Sequence, residues 1–467
     1  MVRSHFVTLV AALGTLAVFL AAQVHLFLAI LVGALALAPL PLSAAAFALR
    51  APLALFCLAF AQLYLFTMLT GLWTVRYAQL LVLGVVIWWA ARTYFGEWTI
   101  RRLPSRYAIW AALLVAWACF CSLSSLDVAH GFLKAANYSY VLLGLWVFNH
   151  LLDDEKAIVR FFKWLILGVA LYSGIVFAMM LERAASEGFS LESALAVQYV
   201  FKQRLHGQNP NAIPTPALFC APFVLVRFLD RPRERLLDGA LFLLFAAVIV
   251  LSMSRATWLG VAIGCVVGYV LLALHQRRWR ELVWAAAAGL LTSFTVMIAF
   301  WGTLQRLVFV QRGTAGRIYV WESALRMIRD HPITGIGPGS WQAMNASYAV
   351  FSGPLDITHE GGHAHNAYLM IAAEMGLPGL LLTLVFLGMI LNDGLRAVLG
   401  RRDLNPAFRL NLVGCVAVTC ALAARGFVES TMLVWPGHPA DAIWLVLVAV
   451  SVCRASDRGA RVEGGRS

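Results

Sequence analysis

Apolar runs of bilayer length recur along almost the whole chain, separated by short polar breaks. One crossing of the hydrocarbon core takes roughly 20 apolar residues, somewhat fewer for a short span. Runs of that kind fall at 6–22, 24–40, 52–70, 77–92, 107–123, 135–150, 160–181, 211–229, 237–253, 256–274, 282–301, 366–391, 409–424 and 441–453. The pattern predicts an all-α, polytopic integral membrane protein of about 12–14 transmembrane helices, because only helices and closed barrels satisfy their backbone in lipid. The lower number applies if the short runs at the two ends are half-spans. Four blocks follow: transmembrane helices over 1–301 with an outer loop near 182–210, a large helical outer loop over 302–365, further spans over 366–454, and a polar tail at 455–467 expected to be disordered.

Within the larger loop, the stretch 317–329 (RIYVWESALRMIR) places Ile318, Trp321, Leu325 and Ile328 at i, i+3, i+7 and i+10. These positions share one helical face, with Arg and Glu on the rest, which predicts an amphipathic helix lying at the membrane surface. Asp330-His331-Pro332 ends it, and a glycine-rich turn at 335–339 follows. Such a turn reverses the chain, and it can also offer backbone N–H groups to an anion.

Composition agrees with the span pattern. Hydrophobic residues make up 61% and charged residues 13%, against roughly 45–50% and 25% in soluble domains, which excludes an ordinary soluble multidomain protein. The net charge of +13 does not point to nucleic acid, since no continuous basic face is present to neutralise many phosphates. It follows instead from the bias of Lys and Arg towards cytoplasmic loops. With a cytoplasmic N-terminus and every run crossing, two thirds of the 36 Lys and Arg fall on the inner side, and both termini are expected to be cytoplasmic. The first run, from Phe6, follows Arg3 and His5 with no polar region after it, so it reads as a retained span rather than a cleaved signal. Cys57, Cys119, Cys121, Cys220, Cys265, Cys415, Cys420 and Cys453 all lie in or at the ends of apolar runs. They read as small apolar side chains, not as a disulfide framework or metal cluster.

The unusual residues gather on the outer side. His359-Glu360-Gly361-Gly362-His363 has the spacing of a zincin motif, which needs a helix to bring its two histidines together. Two central glycines cost about 1 kcal/mol each in a helix, the stretch reads as a loop, and no third ligand presents itself; the expectation is no metal. His365, just before the span that begins near Asn366, suits acid–base work. The positive end of a helix disfavours imidazolium, and a neutral imidazole can take a proton from a hydroxyl. Arg204, Arg255 and Arg317 sit in outer segments, where an arginine with no acid nearby is costly unless it faces a polar cavity or an anion. Guanidinium forks bind phosphate oxygens in pairs, so these arginines suggest a site for a phosphorylated lipid. Arg425 is a weaker candidate, with Glu429 as its expected partner.

Several of these residues resemble a known family. His365-Asn366, followed after nine residues by Gly376-Leu377-Pro378-Gly379, resembles the signature of O-antigen ligases. Ser254-Arg255 at an outer turn, Gly316-Arg317 with Trp321, and Gly335-Ile336-Gly337 are similar to the wider superfamily, which includes O-antigen polymerases and protein O-oligosaccharyltransferases. The resemblance covers about residues 200–390 in motif and the first 200 in hydropathy alone. It implies an inverting glycosyltransferase of lipopolysaccharide assembly in the inner membrane, with its active site periplasmic. Its donor is an undecaprenyl-diphosphate-linked glycan, its acceptor a sugar hydroxyl of lipid A–core, and it uses neither nucleotide nor metal cofactor. On that resemblance His365 (or His363) is the catalytic base, and Arg204, Arg255 and Arg317 hold the donor diphosphate. The readings from other classes are an intramembrane zinc protease, from the HEGGH stretch, and a transporter. The second expects internal symmetry and mid-membrane sites, whereas the unusual residues here lie at one rim.

Overall fold

The computed structural model describes residues 105–136, scattered positions between 138 and 152, 154–186, 211 and 213–284, 313–348, 363–401, 403–429 and 448–452. Its regular structure is entirely helical. In chain order the helices are α1 (Ser105–Cys121), α2 (Val128–Ala136), α3 (Glu155–Ser186), α4 (Thr215–Asp230), α5 (Arg235–Leu251), α6 (Arg255–His275), α7 (Gly313–Asp330), α8 (Trp341–Tyr348), α9 (Ala367–Gly400) and α10 (Pro406–Gly426). Among the described residues, five stretches are long and apolar enough to cross a membrane: Arg106–Ser124, Glu155–Arg183, Arg255–His275, Ala367–Gly400 and Pro406–Gly426. They match the predicted runs at 107–123, 160–181, 256–274, 366–391 and 409–424. The runs from 6 to 92, and all but the first residues of 282–301, lie outside the described residues, as do Cys57 and Cys453.

Lipid tails are as apolar as Leu, so hydrophobicity gives helices in a bilayer little reason to associate; close backbone approach must do it. The centre of the bundle is built that way. On α6, Gly260, Gly264 and Gly268 repeat every four residues and line one face. A Cβ on Gly260 would lie 2.9 Å from the Ala421 carbonyl oxygen, and one on Gly264 would lie 3.0 Å from Ala421 Cβ and from Pro222 Cγ. Gly414 of α10 makes room for the Phe223 ring of α4, which a Cβ there would meet at 2.3 Å. Helices α4, α6 and α10 therefore form a tightly packed trio. Helix α9 packs on α10 and α1, and α3 lies behind α4, α5 and α10. Large apolar side chains that point away from the trio, such as Leu236, Leu243, Val266 and Leu381, stay exposed. This is the outside-in pattern expected where the solvent is lipid.

The chain alternates between two ends of this bundle. Residues 122–127, 211, 213–215, 252–255, 363–366 and 427–429 lie at one end. Residues 105–107, 227–238, 275–278, 393–401 and 403–409 lie at the other. The grouping follows the alternation predicted from the basic loops.

Helix α9 breaks one third of the way along. Gly376 sits at φ 68°, ψ −179°, the left-handed side of the map, which a side chain occupies only under strain. A Cβ there would also lie 2.0 Å from the Ile333 carbonyl oxygen. Leu377 N–H leaves the helix to donate to Pro332 O (2.9 Å). Trp117 Nε1 donates to the freed Met375 carbonyl (2.8 Å). The Gly-Leu-Pro-Gly element is thus a built kink with a docked loop, and Pro378 opens the second half.

The docked loop decides between the two uses open to the glycine-rich turn at 335–339: the turn reverses and seats the chain rather than cradling an anion. Its amides are spent on the protein: Gly335 N donates to His331 O, Ile336 N to Ala373 O, Gly337 N to Glu374 O and Gly339 N to Glu374 Oε1. The turn seats the outer segment on α9. Helix α7 forms as predicted and carries a second, buried face: Val320, Ser323, Ala324 and Met327 pack against Ile336, Trp341, Ala364, Met370 and Ala373. Ile318 and Leu325 of the predicted stripe are 59% and 56% exposed, and Trp321 and Ile328 border both faces. Small residues suit close packing on α9, while the larger aliphatic pair is left outward. Spacing alone does not distinguish two adjacent stripes.

Candidate functional site

Helix α9 begins at Ala367, and Asn366 caps it. The Asn366 side-chain oxygen accepts from Leu369 N–H (3.0 Å), and its Nδ2 donates to the Phe427 carbonyl (3.1 Å). One residue therefore satisfies an orphan amide of the helix and ties its start to the segment after α10. Immediately before the cap, His365 adopts φ 49°. A non-glycine residue held there costs on the order of 1–3 kcal/mol and persists only where its surroundings enforce it. The strain turns the imidazole inward rather than along the helix.

It turns towards Glu429. His365 Nδ1 lies 3.7 Å from Glu429 Oε1, and His363 Nδ1 lies 4.0 Å from the same oxygen. The two rings are 4.0 Å apart between centroids, tilted by 56°. His363 Nδ1 accepts from the His365 backbone N–H (3.3 Å), which places any single proton of that ring on Nε2. Both histidines are half-buried and Glu429 is buried. Its other oxygen, Oε2, accepts from Asn211 Nδ2 (2.8 Å). The Asn211 carbonyl in turn accepts from Arg425 Nη2 (2.6 Å), whose Nη1 donates to Thr215 Oγ1 (3.0 Å). Burial alone would raise the Glu429 carboxyl. The facing His365, then His363 and Arg425, outweigh it and hold the group at about 2, so Glu429 is an anion throughout the neutral range.

Arg425 is fully buried and belongs to this network, as its sequence neighbour Glu429 suggested. Their link runs through Asn211. The sequence reading gave Glu429 no more than the pairing with Arg425. Nothing in its local spacing marks it as the residue that faces both histidines, because α9 and α10 approach only through tertiary packing.

The predicted arginines fare differently. Arg317, in the first half of α7, donates from Nη1 to the Val428 carbonyl (3.0 Å), one residue from Glu429. Four residues on, Trp321 Nε1 donates to the Ala364 carbonyl (3.0 Å), one residue from His365. Helix α7 thus clamps both segments that carry the site, and its Arg317 borders it. Arg255 is the first residue of α6 and is half-buried. Along the α6–α10 contact Gly264 meets Ala421, and Gly260 meets Ala421 and Arg425. Arg255 starts its helix beyond this contact, at the end of the bundle that carries Glu429. Its helix is preceded by a tight corner in which Met253 takes φ 54° and Ser254 Oγ bonds Thr257 Oγ1 (2.9 Å). Arg204, His359 and Glu360 lie outside the described residues.

An imidazole with a buried carboxylate behind Nδ1 and its Nε2 edge turned elsewhere is suited to take a proton from a hydroxyl. Arginines at the same rim suit an anionic leaving group. Comparison with known proteins gives a match of the same kind. Residues 240–384 match the family model described as Wzy_C, O-antigen ligase. No curated protein matches the chain. The matched stretch contains Arg255, Arg317, His363 and His365; Asn211, Arg425 and Glu429 lie beyond it.

Proposed function

We infer that this multi-pass membrane protein, whose residues 240–384 form an O-antigen ligase family domain of the glycan-transfer type, moves O-antigen glycan from undecaprenyl diphosphate to a sugar hydroxyl of lipid A–core. Transfer takes place at the periplasmic face of the inner membrane, with both termini cytoplasmic. The observation that carries the reading is the strained His365, held at the start of α9 with Nδ1 towards the ionised Glu429.

In this reading Glu429 favours the tautomer protonated on Nδ1, which leaves the Nε2 lone pair to accept the proton of the acceptor hydroxyl. The hydroxyl oxygen attacks the anomeric carbon as the bond to the lipid diphosphate breaks, so configuration inverts in one displacement. No nucleotide is needed, because the donor carries its own leaving group. Arg255, Arg317 and Arg204 receive the charge that develops on the departing diphosphate. His363 supports the His365 backbone rather than acting as base, since its Nδ1 already accepts from it.

The test is transfer in proteoliposomes given purified lipid-linked glycan and lipid A–core. The wild type joins the two with EDTA present. His365→Ala, checked for normal membrane insertion and monodisperse elution, loses about 10²- to 10⁴-fold, the share of a general base. Growth of the donor glycan with lipid A–core ignored would make the protein a polymerase. Glycan on a protein acceptor alone would make it an oligosaccharyltransferase.

A further inference from the structure

The same cluster has the donor set of a transition-metal site. His363, His365 and Glu429 each offer one ligand atom, and these atoms all lie within 4.8 Å of one another. We propose that His363, His365 and Glu429 bind a divalent ion of the Zn²⁺ class, and that the bound ion switches glycan transfer off.

Two imidazole nitrogens and one carboxylate oxygen suit zinc, copper or nickel rather than the hard ions magnesium and calcium. Three protein ligands with a remaining position for water form an ordinary open zinc site. Donors around a tetrahedral zinc stand roughly 3.3 Å apart, given bonds of about 2.0–2.1 Å. Here His365 Nδ1 and His363 Nδ1 are 3.7 and 4.0 Å from Glu429 Oε1, so closure needs only small side-chain shifts. Among the described residues, the buried His365 Nδ1 has no hydrogen-bond partner. His363 Nδ1 is already an acceptor, from the His365 backbone N–H at 3.3 Å, and it would exchange that long bond for the metal. Behind the carboxylate, Asn211 Nδ2 on Oε2 supplies the outer hydrogen bond that orients metal-bound carboxylates.

The inhibitory effect rests on the reading of His365 as base. When zinc takes the Nδ1 lone pair, the ring's single proton moves through solvent from Nδ1 to Nε2. The ring stays neutral, and the protonated Nε2 has no lone pair left to accept the proton of the acceptor. The metal therefore blocks the base without touching the donor arginines. This differs from a zincin arrangement, which would use His359 and His363 and would not involve Glu429.

Equilibrium dialysis of the purified full-length protein against Zn²⁺ decides binding. One Zn²⁺ per chain is expected. Apparent affinity should fall at least tenfold in each of His363→Ala, His365→Ala and Glu429→Gln, and stay unchanged in His331→Ala, whose side chain is exposed, and in His359→Ala. Zinc should also protect a histidine from diethyl pyrocarbonate in the wild type but not in Glu429→Gln. Binding that survives Glu429→Gln, or that His359→Ala abolishes, overturns the site. In the transfer assay, stoichiometric Zn²⁺ should stop the reaction and EDTA restore it. If zinc does not bind while His365→Ala still abolishes transfer, the metal proposal falls and the base stands. If zinc binds at the three residues and transfer continues, the switch falls and the assignment of His365 as base falls with it.

Discussion

The two ends of the helix bundle handle charge in opposite ways. At the end formed by 105–107, 227–238, 275–278, 393–401 and 403–409, guanidinium groups close on carboxylates. Arg106 pairs with Asp393, which also accepts from Tyr107 OH (2.6 Å); Arg227 pairs with Glu234 (2.9 Å) and Asp238 (3.0 Å); Arg401 pairs with Asp403 (2.6 Å). At the other end Arg425 is held by a hydroxyl and a backbone carbonyl, Arg317 reaches a backbone carbonyl, and the buried carboxylate of Glu429 faces two imidazoles. Direct pairing neutralises charge inside the protein and leaves an inert face. At the other end the carboxylate is matched by two imidazoles and by the nearby charge of Arg425, and an imidazole beside a carboxylate keeps a proton in play. On the proposed function, that difference would separate an anchoring end from a reacting end.

Substitutions test this contrast, and beyond the His365→Ala loss they rank by size. Glu429→Gln keeps shape and the Asn211 contact while removing the charge behind His365. Transfer should fall on the order of 10²-fold, less than for His365→Ala because the effect passes through the ring. Its sign in stability is also set. A carboxyl lowered to about 2 in the fold adds stability above the ordinary carboxylate range, and this is lost as pH falls through the folded value. The wild type should therefore lose thermal stability between about pH 4.5 and pH 2 by a component absent in Glu429→Gln. Gly376→Ala should lower stability by more than the roughly 1–3 kcal/mol of backbone strain alone, because the new Cβ meets Ile333 O. Thermal unfolding in detergent measures it, and transfer should drop as the outer segment loses its seat. Arg317→Lys retains charge but not the fork, so a several-fold higher KM for the lipid-linked donor is expected with the insertion level unchanged. The smallest effect belongs to the other end. Asp403→Asn breaks an exposed pair worth at most about 1 kcal/mol, and the initial transfer rate should match the wild type.

The comparison also shows how far reading the chain could go. Apolar runs at 107–123, 160–181, 256–274 and 409–424 each became one long helix, and 366–391 a helix kinked at Gly376, since a run of that length in lipid satisfies its backbone mainly within itself. His365-Asn366 was legible as a helix start, and the cap geometry follows from the residue types themselves. The Gly-Leu-Pro-Gly element was legible as a motif but not as a kink, for its partner carbonyls on Pro332 and Ile333 lie more than forty residues earlier. The glycine-rich turn was open to two uses by its local chemistry, and only the presence of Ala373 and Glu374 beside its amides decided between them. On α7 the heptad-like spacing of Ile318, Trp321, Leu325 and Ile328 competed with that of Val320, Ala324 and Met327, and the fit of small side chains against α9 settled which face was covered.

The sequence by itself determined that the chain is a bundle of membrane helices, which loops share an end, and which histidine and arginines stand out of place there, because bilayer thickness, charge bias and desolvation act on local stretches of chain. The tertiary structure alone decided that Glu429 faces His365 and His363, with Asn211 joining it to Arg425. That arrangement depends on α4, α6 and α10 packing at glycine contacts and on the strained turn before α9. Distances across helices are set by side-chain volumes fitting in three dimensions, and no spacing along the chain encodes them.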